Sequence, residues 1–433
     1  MNKVLIITYY WVPSGGAGVQ RWVKFTKYLR KYGWEPVIYT PQNPEYPALD
    51  HSLEKDVPPD MEVIKTPIWE PYNIYRNLMG KRNEPINAGF ISENKKSGWK
   101  ERFSIWIRGN FFIPDPRRFW VKPSVKFLKK YISENQINAI VTSGPPHSMH
   151  LIGLGLKKIF PALPWLADFR DPWTNIDFYD DLHLTEIADR IHHRLEKKVV
   201  SSADVVVVVS KSMKEEFLRL QPKRIEMIPN GFDKEDFLVS RPELDQKFTI
   251  SHIGTLKAVC NPSKLWKVME EIAMDDKGFK DDLRIQLIGK ADFSVIEDIQ
   301  LHNLNDNLLR IGYIPHYEAV KKEMSSQVLL LLISQTDKSK GIISGKFYEY
   351  LAACRPILGI GPTDGDVGEL LRNTQAGIMI DYDDEKLMKE TILQFYEQYK
   401  RNSLAATAHS IENFSRKNLT HDLANLLDSL CEK

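Results

Sequence analysis

The feature that most restricts this chain is a cycle that occurs twice: an uninterrupted aliphatic run, a loop, a helical stretch and another such run. Lys3-Val-Leu-Ile-Ile-Thr8 leads into Pro13-Ser-Gly-Gly-Ala-Gly18, a helical segment through about Lys31, and Glu35-Pro-Val-Ile-Tyr-Thr40. Runs without polar alternation suit strands covered on both faces, and the helix between them is the crossover that parallel pairing requires. Further strands are expected at Ala139–Thr142, Trp165–Asp168 and Asp204–Val209, with helices near His150–Phe160 and Thr185–Ser201. A short helix, Lys211–Leu220, then enters Ile228-Pro-Asn-Gly-Phe-Asp233 and the polar segment Lys234–Lys247, where proline, asparagine and glycine break regular structure. The cycle restarts with strand Phe248–Ile253, loop Gly254–Pro262 and helix Ser263–Met274. Strands Leu283–Ile288, Leu309–Tyr313 and Val328–Ile333, helix Ser344–Cys354, and strands Pro356–Ile360 and Gly377–Ile380 complete it.

The fold class expected is therefore α/β, with two Rossmann-like parallel-sheet domains facing each other across a cleft. A length of 433 residues suits two or three domains. The first is placed at 1–230, with an insertion at about 67–130, followed by a linker at 231–247 and a second domain at 248–402. A terminal helical region at 403–433 is positioned to pack back across the hinge. Lysine and arginine (59) nearly balance aspartate and glutamate (57), so no global field marks a nucleic-acid binder. Cys260, Cys354 and Cys431 lie far apart, which argues against a disulfide framework or a cysteine zinc site and fits a reducing cytoplasm. The first apolar run is strand-length and lacks the flanks of a secretory signal. Later runs fall far short of the ~20 residues of a spanning helix.

Local charge is another matter. Between Ile91 and Lys130 eleven basic residues face three acidic ones, interleaved with Trp99, Phe103, Trp106, Phe111, Phe112, Phe119 and Trp120. Such a mixture suits an anionic membrane surface, where each basic residue adds about 1 kcal/mol. It equally suits an insertion packed on the core with a solvated basic face. The location expected is cytoplasmic, with the inner face of the cell membrane as the place such a surface would reach.

In open parallel sheets, ligands bind beyond the carboxyl ends of the strands. Gly15-Gly-Ala-Gly18 follows the first strand and opens a helix whose free N–H groups favour an anion, although a tight turn explains the glycines as well. It is not a dinucleotide fingerprint, because Arg21 stands at the third glycine position. Ser344-Gly-Lys-Phe-Tyr-Glu-Tyr350 reads as a capped helix start carrying Lys346, with Glu349 one turn on and available to sugar hydroxyls. A plain capped helix with a surface ion pair is the competing reading. Asp168-Phe-Arg-Asp-Pro-Trp173 makes a charged corner at a strand end, and His147 follows the preceding strand in Ser143-Gly-Pro-Pro-His147. His150, His192 and His193 compete with it for any role.

Taken in order along nearly the whole chain, these elements resemble glycosyltransferase family 4, retaining nucleotide-sugar transferases of the GT-B fold. The resemblance rests on Gly15-Gly-Ala-Gly18, Asp168–Trp173, Ala203-Asp-Val-Val-Val-Val-Val-Ser210, Ile228–Asp233, Ile253-Gly-Thr-Leu256 and Lys346-Phe-Tyr-Glu-Tyr-Leu-Ala-Ala353 with Arg355-Pro356. It implies transfer of a sugar, hexosyl-like, from a nucleoside diphosphate sugar to an acceptor hydroxyl, with no cofactor and no divalent metal. The acceptor implied is a saccharide or, if the insertion lies on a membrane, a lipid-linked one in surface polysaccharide assembly. Glu349 is expected on the ribose, and Gly254, Thr255, Lys257, Ser344, Gly345 and Lys346 at the diphosphate. Gly15 and Gly16 are expected to meet the donor phosphates from the other domain, His147 to lie beside the transferred sugar, and Asp171 to organise the site. Two departures stand out. Gly341 occupies the place of the first of two family glutamates eight positions apart, and Thr255 follows the glycine where a basic residue is usual, leaving Lys257 or Lys264 to substitute. A GT-B epimerase and a non-catalytic nucleotide-sugar-binding partner are the rival readings.

Overall fold

Strand β1 (Asn2–Ile7) lies inside the first sheet, and its alternate residues feed two different cores. Leu5 and Ile7 point into a layer with Trp120, Leu128, Ile152 and Phe169, while Val4 and Ile6 point into one with Val19, Trp22 and Leu427. That two-sided burial is why the run carries no polar alternation. The computed structural model describes residues 1–46, 49–71, 99–238, 242–336, 338–406 and 408–432. Its chain divides into two units, Met1–Pro229 with Arg416–Lys433, and Asn230–Ser415.

The first unit runs β1, α1 (Ala17–Leu29), β2 (Trp34–Pro41), β3 (Val63–Thr66), α2 (Trp99–Phe111), α3 (Arg118–Glu134), β4 (Ala139–Gly144), α4 (Ser148–Ile159), β5 (Trp165–Phe169), α5 (Glu186–Ser202), β6 (Val205–Val208), α6 (Lys211–Leu218) and β7 (Ile225–Met227). Its seven strands are all parallel in the order β3-β2-β1-β4-β5-β6-β7. The second unit runs β8 (Phe248–Ile253), α7 (Ser263–Asp275), α8 (Lys277–Asp282), β9 (Leu283–Ile288), α9 (Phe293–Leu301), β10 (Leu308–Ile311), α10 (His316–Ser325), β11 (Val328–Leu332), α11 (Gly345–Ala353), β12 (Ile357–Ile360), α12 (Asp366–Thr374), β13 (Gly377–Ile380) and α13 (Glu385–Lys400). Six parallel strands stand in the order β10-β9-β8-β11-β12-β13. The last helix, α14 (Arg416–Cys431), rejoins the first unit, where Leu419, Leu423 and Leu427 share a core with α1 and Asp428 accepts from the Trp34 indole at 2.9 Å.

Two strands escaped the sequence reading. β3 and β7 are short outer strands with half-buried residues, so they lack the apolar signature of the inner ones. The stretch counted as the end of an insertion is α3, one of the helices on the path from β3 to β4. Trp120, Ser124, Leu128 and Ile132 recur every four residues on its buried face, and Trp120 stacks on Tyr39 at 4.8 Å. The aromatic residues of this region therefore divide: Trp120 is core, whereas Phe103, Phe111, Phe119 and Phe127 are exposed. Arg117 is not part of a basic face, since it is buried against Glu70 at 3.1 Å. Arg118, Lys122, Lys126, Lys129 and Lys130 are exposed. Lys95, Lys96 and Glu93 lie outside the described residues. Among the described residues no helix is long and apolar enough to cross a membrane.

Candidate functional site

In the first unit, polar residues gather where β1, β4 and β5 end. Asp168, the penultimate residue of β5, accepts from Arg21 Nη2 (2.8 Å), the Trp22 indole (2.9 Å) and Ser143 Oγ (2.9 Å), and is fully buried. Arg21 also donates to the carbonyls of Ile228 (2.9 Å) and Pro229 (2.8 Å). The arginine that breaks the glycine fingerprint is thus a core residue tying α1 to β5. Gly16, just before α1, has φ +108 and open space where a Cβ would stand, so it needs glycine for its backbone and leaves the helix start uncovered. Gly15 precedes it, half-buried. Gly18 answers a different need: a side chain there would collide with the guanidinium of Arg170, which itself donates to Ser143 Oγ and the Pro145 carbonyl.

His147 immediately precedes α4. That helix start is held by Asp115, whose carboxylate accepts from Ser148 N and Ser148 Oγ, both at 2.9 Å. The imidazole lies flat on the Trp173 indole, 4.8 Å between centroids and 4° between planes. Trp173 is in turn anchored by Glu196, which accepts from its backbone N–H at 3.3 Å, and by His192 Nδ1, which accepts from its indole N–H at 3.1 Å. Burial, reinforced by the neighbouring His150 and Arg170, holds the His147 pKa well below the usual histidine value, so the ring is neutral at physiological pH. A pocket of about 260 Å³ opens beside it, bordered by Tyr10, Arg108, Asp171, Trp173 and His192. Asp171 is exposed on that wall. Aromatic faces with a few polar groups at the rim are the lining that a sugar ring accepts.

In the second unit the residues selected from sequence converge on the start of α11. Gly254 directly follows β8 with φ +110, and a Cβ there would run into the Lys346 side chain. Lys346 donates to the Thr255 carbonyl (3.2 Å) and to His252 Nε2 (3.1 Å). Burial lowers its pKa to about 8, against the opposing influence of Cys260, Glu349 and Glu323. Ser344 occupies the cap position of α11 without a side-chain capping bond, and Gly345 opens the first turn. The N–H groups of that turn combine with Lys346 to favour an anion. Glu349 does not neutralise the lysine; its Oε1 accepts from His316 Nε2 at 2.9 Å. Thr255 is exposed and Lys257 half-buried in the loop after Gly254. Lys264, the other lysine considered, is engaged with Asp383 at 2.9 Å.

Three polar residues of this cluster were not singled out from sequence. His252 is a histidine inside an apolar strand, His316 opens α10, and Glu323 is an almost fully buried carboxyl whose Oε2 lacks a hydrogen-bond partner. Burial, and then Glu349, push the Glu323 pKa well up. The only signal for His252 and Glu323 was a polar residue at a position otherwise reserved for the core. Among the described residues no group of three or more His, Cys, Asp or Glu side chains is arranged to hold a metal ion.

Residues 91–236 match the family model described as Glycosyltransferase Family 4. No curated protein sequence matches the chain. Among solved structures, sucrose-phosphate synthase from Thermosynechococcus elongatus superposes with a TM-score of 0.59 at 14% identity, covering 100% of this chain and 97% of that one. HepE from Anabaena, in complex with UDP-glucose, gives 0.58 at 11% identity over 99% and 97% of the two chains. WaaG, a glycosyltransferase involved in lipopolysaccharide biosynthesis, gives 0.55 at 12% identity over 99% and 98%. The resemblance read from the sequence is borne out by the family match over residues 91–236 and by the fold. The protein has the GT-B fold, and across residues 91–236 it is similar in sequence to glycosyltransferase family 4.

Proposed function

We propose that this chain is a retaining glycosyltransferase that moves a sugar from a nucleoside diphosphate sugar to an acceptor hydroxyl without a divalent metal. The observation that carries the proposal is the meeting of Lys346, the glycine turn at Gly254 and the first turn of α11, three independent reasons for a diphosphate to bind at one place. Gly254, Thr255, Lys257, Ser344 and Gly345 surround the phosphates, and Glu349 accepts from ribose hydroxyls. Fixed N–H dipoles and one ammonium stabilise the departing diphosphate without reorganisation. His147 and Asp171 are assigned to the transferred sugar and the acceptor. A neutral His147 donates or accepts a hydrogen bond and is not a charged acid. Gly15 and Gly16 are assigned to substrate phosphate through their uncovered backbone. The test is thermal-shift screening of UDP-, GDP- and other activated sugars, followed by product mass with a defined acceptor. Failure of every activated sugar to raise the melting temperature overturns the proposal, and a bound donor with no product favours the binding-partner reading.

The exposed aromatic residues Phe103, Phe111, Phe119 and Phe127 and the exposed Lys122, Lys126, Lys129 and Lys130 support peripheral contact with an anionic bilayer at the cytoplasmic face, and with it a lipid-linked acceptor of surface polysaccharide assembly. Flotation with liposomes containing anionic lipid tests this; equal recovery with neutral and anionic liposomes argues for a soluble acceptor.

A further inference from the structure

Lys346 is a long side chain with three rotatable donors, and a diphosphate site needs its ammonium in one place. The structure shows what fixes it. His252 projects from β8 into the interior, where its Nδ1 lies 3.0 Å from the Leu330 carbonyl on the adjacent β11. A carbonyl only accepts, so Nδ1 carries the hydrogen. Burial and the nearby Lys346 charge lower the His252 pKa to about 3, so the ring is neutral and its Nε2 bears a lone pair. That lone pair faces Lys346 Nζ at 3.1 Å, and the Thr255 carbonyl takes a second hydrogen at 3.2 Å. Two of three ammonium hydrogens are thereby spent on fixed acceptors, and the third is left for a ligand.

We propose that His252 is a positioning residue: locked by Leu330 in the tautomer that accepts from Lys346, it pins the ammonium over the Gly254 turn and favours its charged form. The proposal rests on the reading of this cluster as the diphosphate site. The other groups facing Lys346 are Glu349 on α11, Glu323 on α10, and Lys257 and Cys260 in the loop after β8, with His316 reaching the cluster through Glu349.

The two contacts of His252 can be separated. In His252→Asn the amide reaches the Nδ1 position and keeps the bond to Leu330 but offers nothing to Lys346, whereas in His252→Gln the side-chain oxygen falls near the Nε2 position and restores the acceptor. Binding of UDP, GDP and inorganic pyrophosphate to the full chain is measured by calorimetry between about pH 6 and 9.5, a range that brackets lysine deprotonation here. Wild-type affinity is expected to be level at low pH and to fall above about pH 8, where Lys346 loses its proton. His252→Asn is expected to bind about fivefold to twentyfold more weakly and to start falling about one pH unit lower, with His252→Gln within about threefold of wild type. The proposal is overturned if Asn matches wild type while Gln does not, which would give the histidine a purely structural role between β8 and β11. An unmoved pH midpoint in the Asn variant overturns it too. If wild type binds none of the three probes, or Lys346→Met binds as tightly as wild type, the diphosphate reading falls and takes the proposal with it, an outcome visible without any His252 variant.

Discussion

Replacing Glu349 by alanine separates the role proposed for it from a structural one. The carboxylate is mostly buried, with 20% of its side chain exposed, and Oε1 is occupied by His316 Nε2 at 2.9 Å. Its other oxygen has the lone pairs that a ribose hydroxyl needs. A hydrogen bond to a charged acceptor contributes about 1.5–3 kcal/mol, and about 1.4 kcal/mol is tenfold in affinity. Losing one such bond therefore raises the nucleotide Kd by about tenfold to a hundred-and-fiftyfold. His316, with 17% of its side chain exposed, finds water in place of the lost carboxylate, so the fold loses little and the melting temperature stays near wild type. Calorimetry with UDP and GDP reads the affinity, and the same titration with 2′-deoxynucleotides supplies the second arm. Wild type is expected to lose affinity for the deoxy ligand, and Glu349→Ala to be indifferent to the missing hydroxyl. An alanine variant within about twofold of wild type, or one that discriminates against the deoxy ligand as wild type does, refutes the assignment to the ribose.

Three further outcomes are expected. Asp168→Asn keeps the shape but leaves Arg21 buried without its counter-charge, a change that costs about 3–5 kcal/mol, and urea unfolding followed by tryptophan fluorescence reads the loss; a midpoint equal to wild type excludes the pair as a keystone of the first unit. Glu323 has its folded pKa raised above the ordinary 4.5, so the folded state holds a proton that the unfolded chain has released, and stability drains as pH rises from there toward the folded value. Glu323→Gln removes that drain, and its melting temperature is expected to fall less than wild type between acid and neutral pH; parallel curves would contradict the neutral carboxyl. His147→Ala is expected to lower kcat about tenfold while leaving nucleotide affinity unchanged, because the ring is assigned to the transferred sugar; a variant that loses nucleotide affinity instead moves His147 to another role.

The neighbours share fold at 11–14% identity, so side-chain roles in this chain rest on its own geometry. The departures from the family pattern acquire physical content on that basis. Gly341, in the place of the first family glutamate, contributes no carboxyl, yet Glu323 from a different helix brings one close enough to influence both Lys346 and Glu349. Burial holds its pKa well above the ordinary carboxylate value, so it opposes the lysine less than an exposed glutamate would.

The class of fold was legible in the residues alone, and so were the segments that are proposed here as the donor site. Uninterrupted aliphatic runs separated by helical stretches suit few arrangements other than parallel sheets covered on both sides, and that pattern is local. Ser344-Gly-Lys346 opening a helix is equally local, since the chemistry of a helix start lies within one turn. Strand order, the outer strands β3 and β7, and the identity of the buried charged residues came from the folded chain alone. Arg21 counts in the sequence only as a break in the glycine pattern and Arg117 only as one basic residue among eleven, until Asp168 and Glu70, distant in sequence, take them into the core. Ser124 hides the four-residue period of α3 because a buried serine looks polar in a sequence, although its hydroxyl accepts from Tyr39 at 2.9 Å. His252, His316 and Glu323 belong to the site through contacts between β8, α10 and α11. Burial and hydrogen-bond partnership are properties of pairs brought together by the fold, and no single segment records its partner.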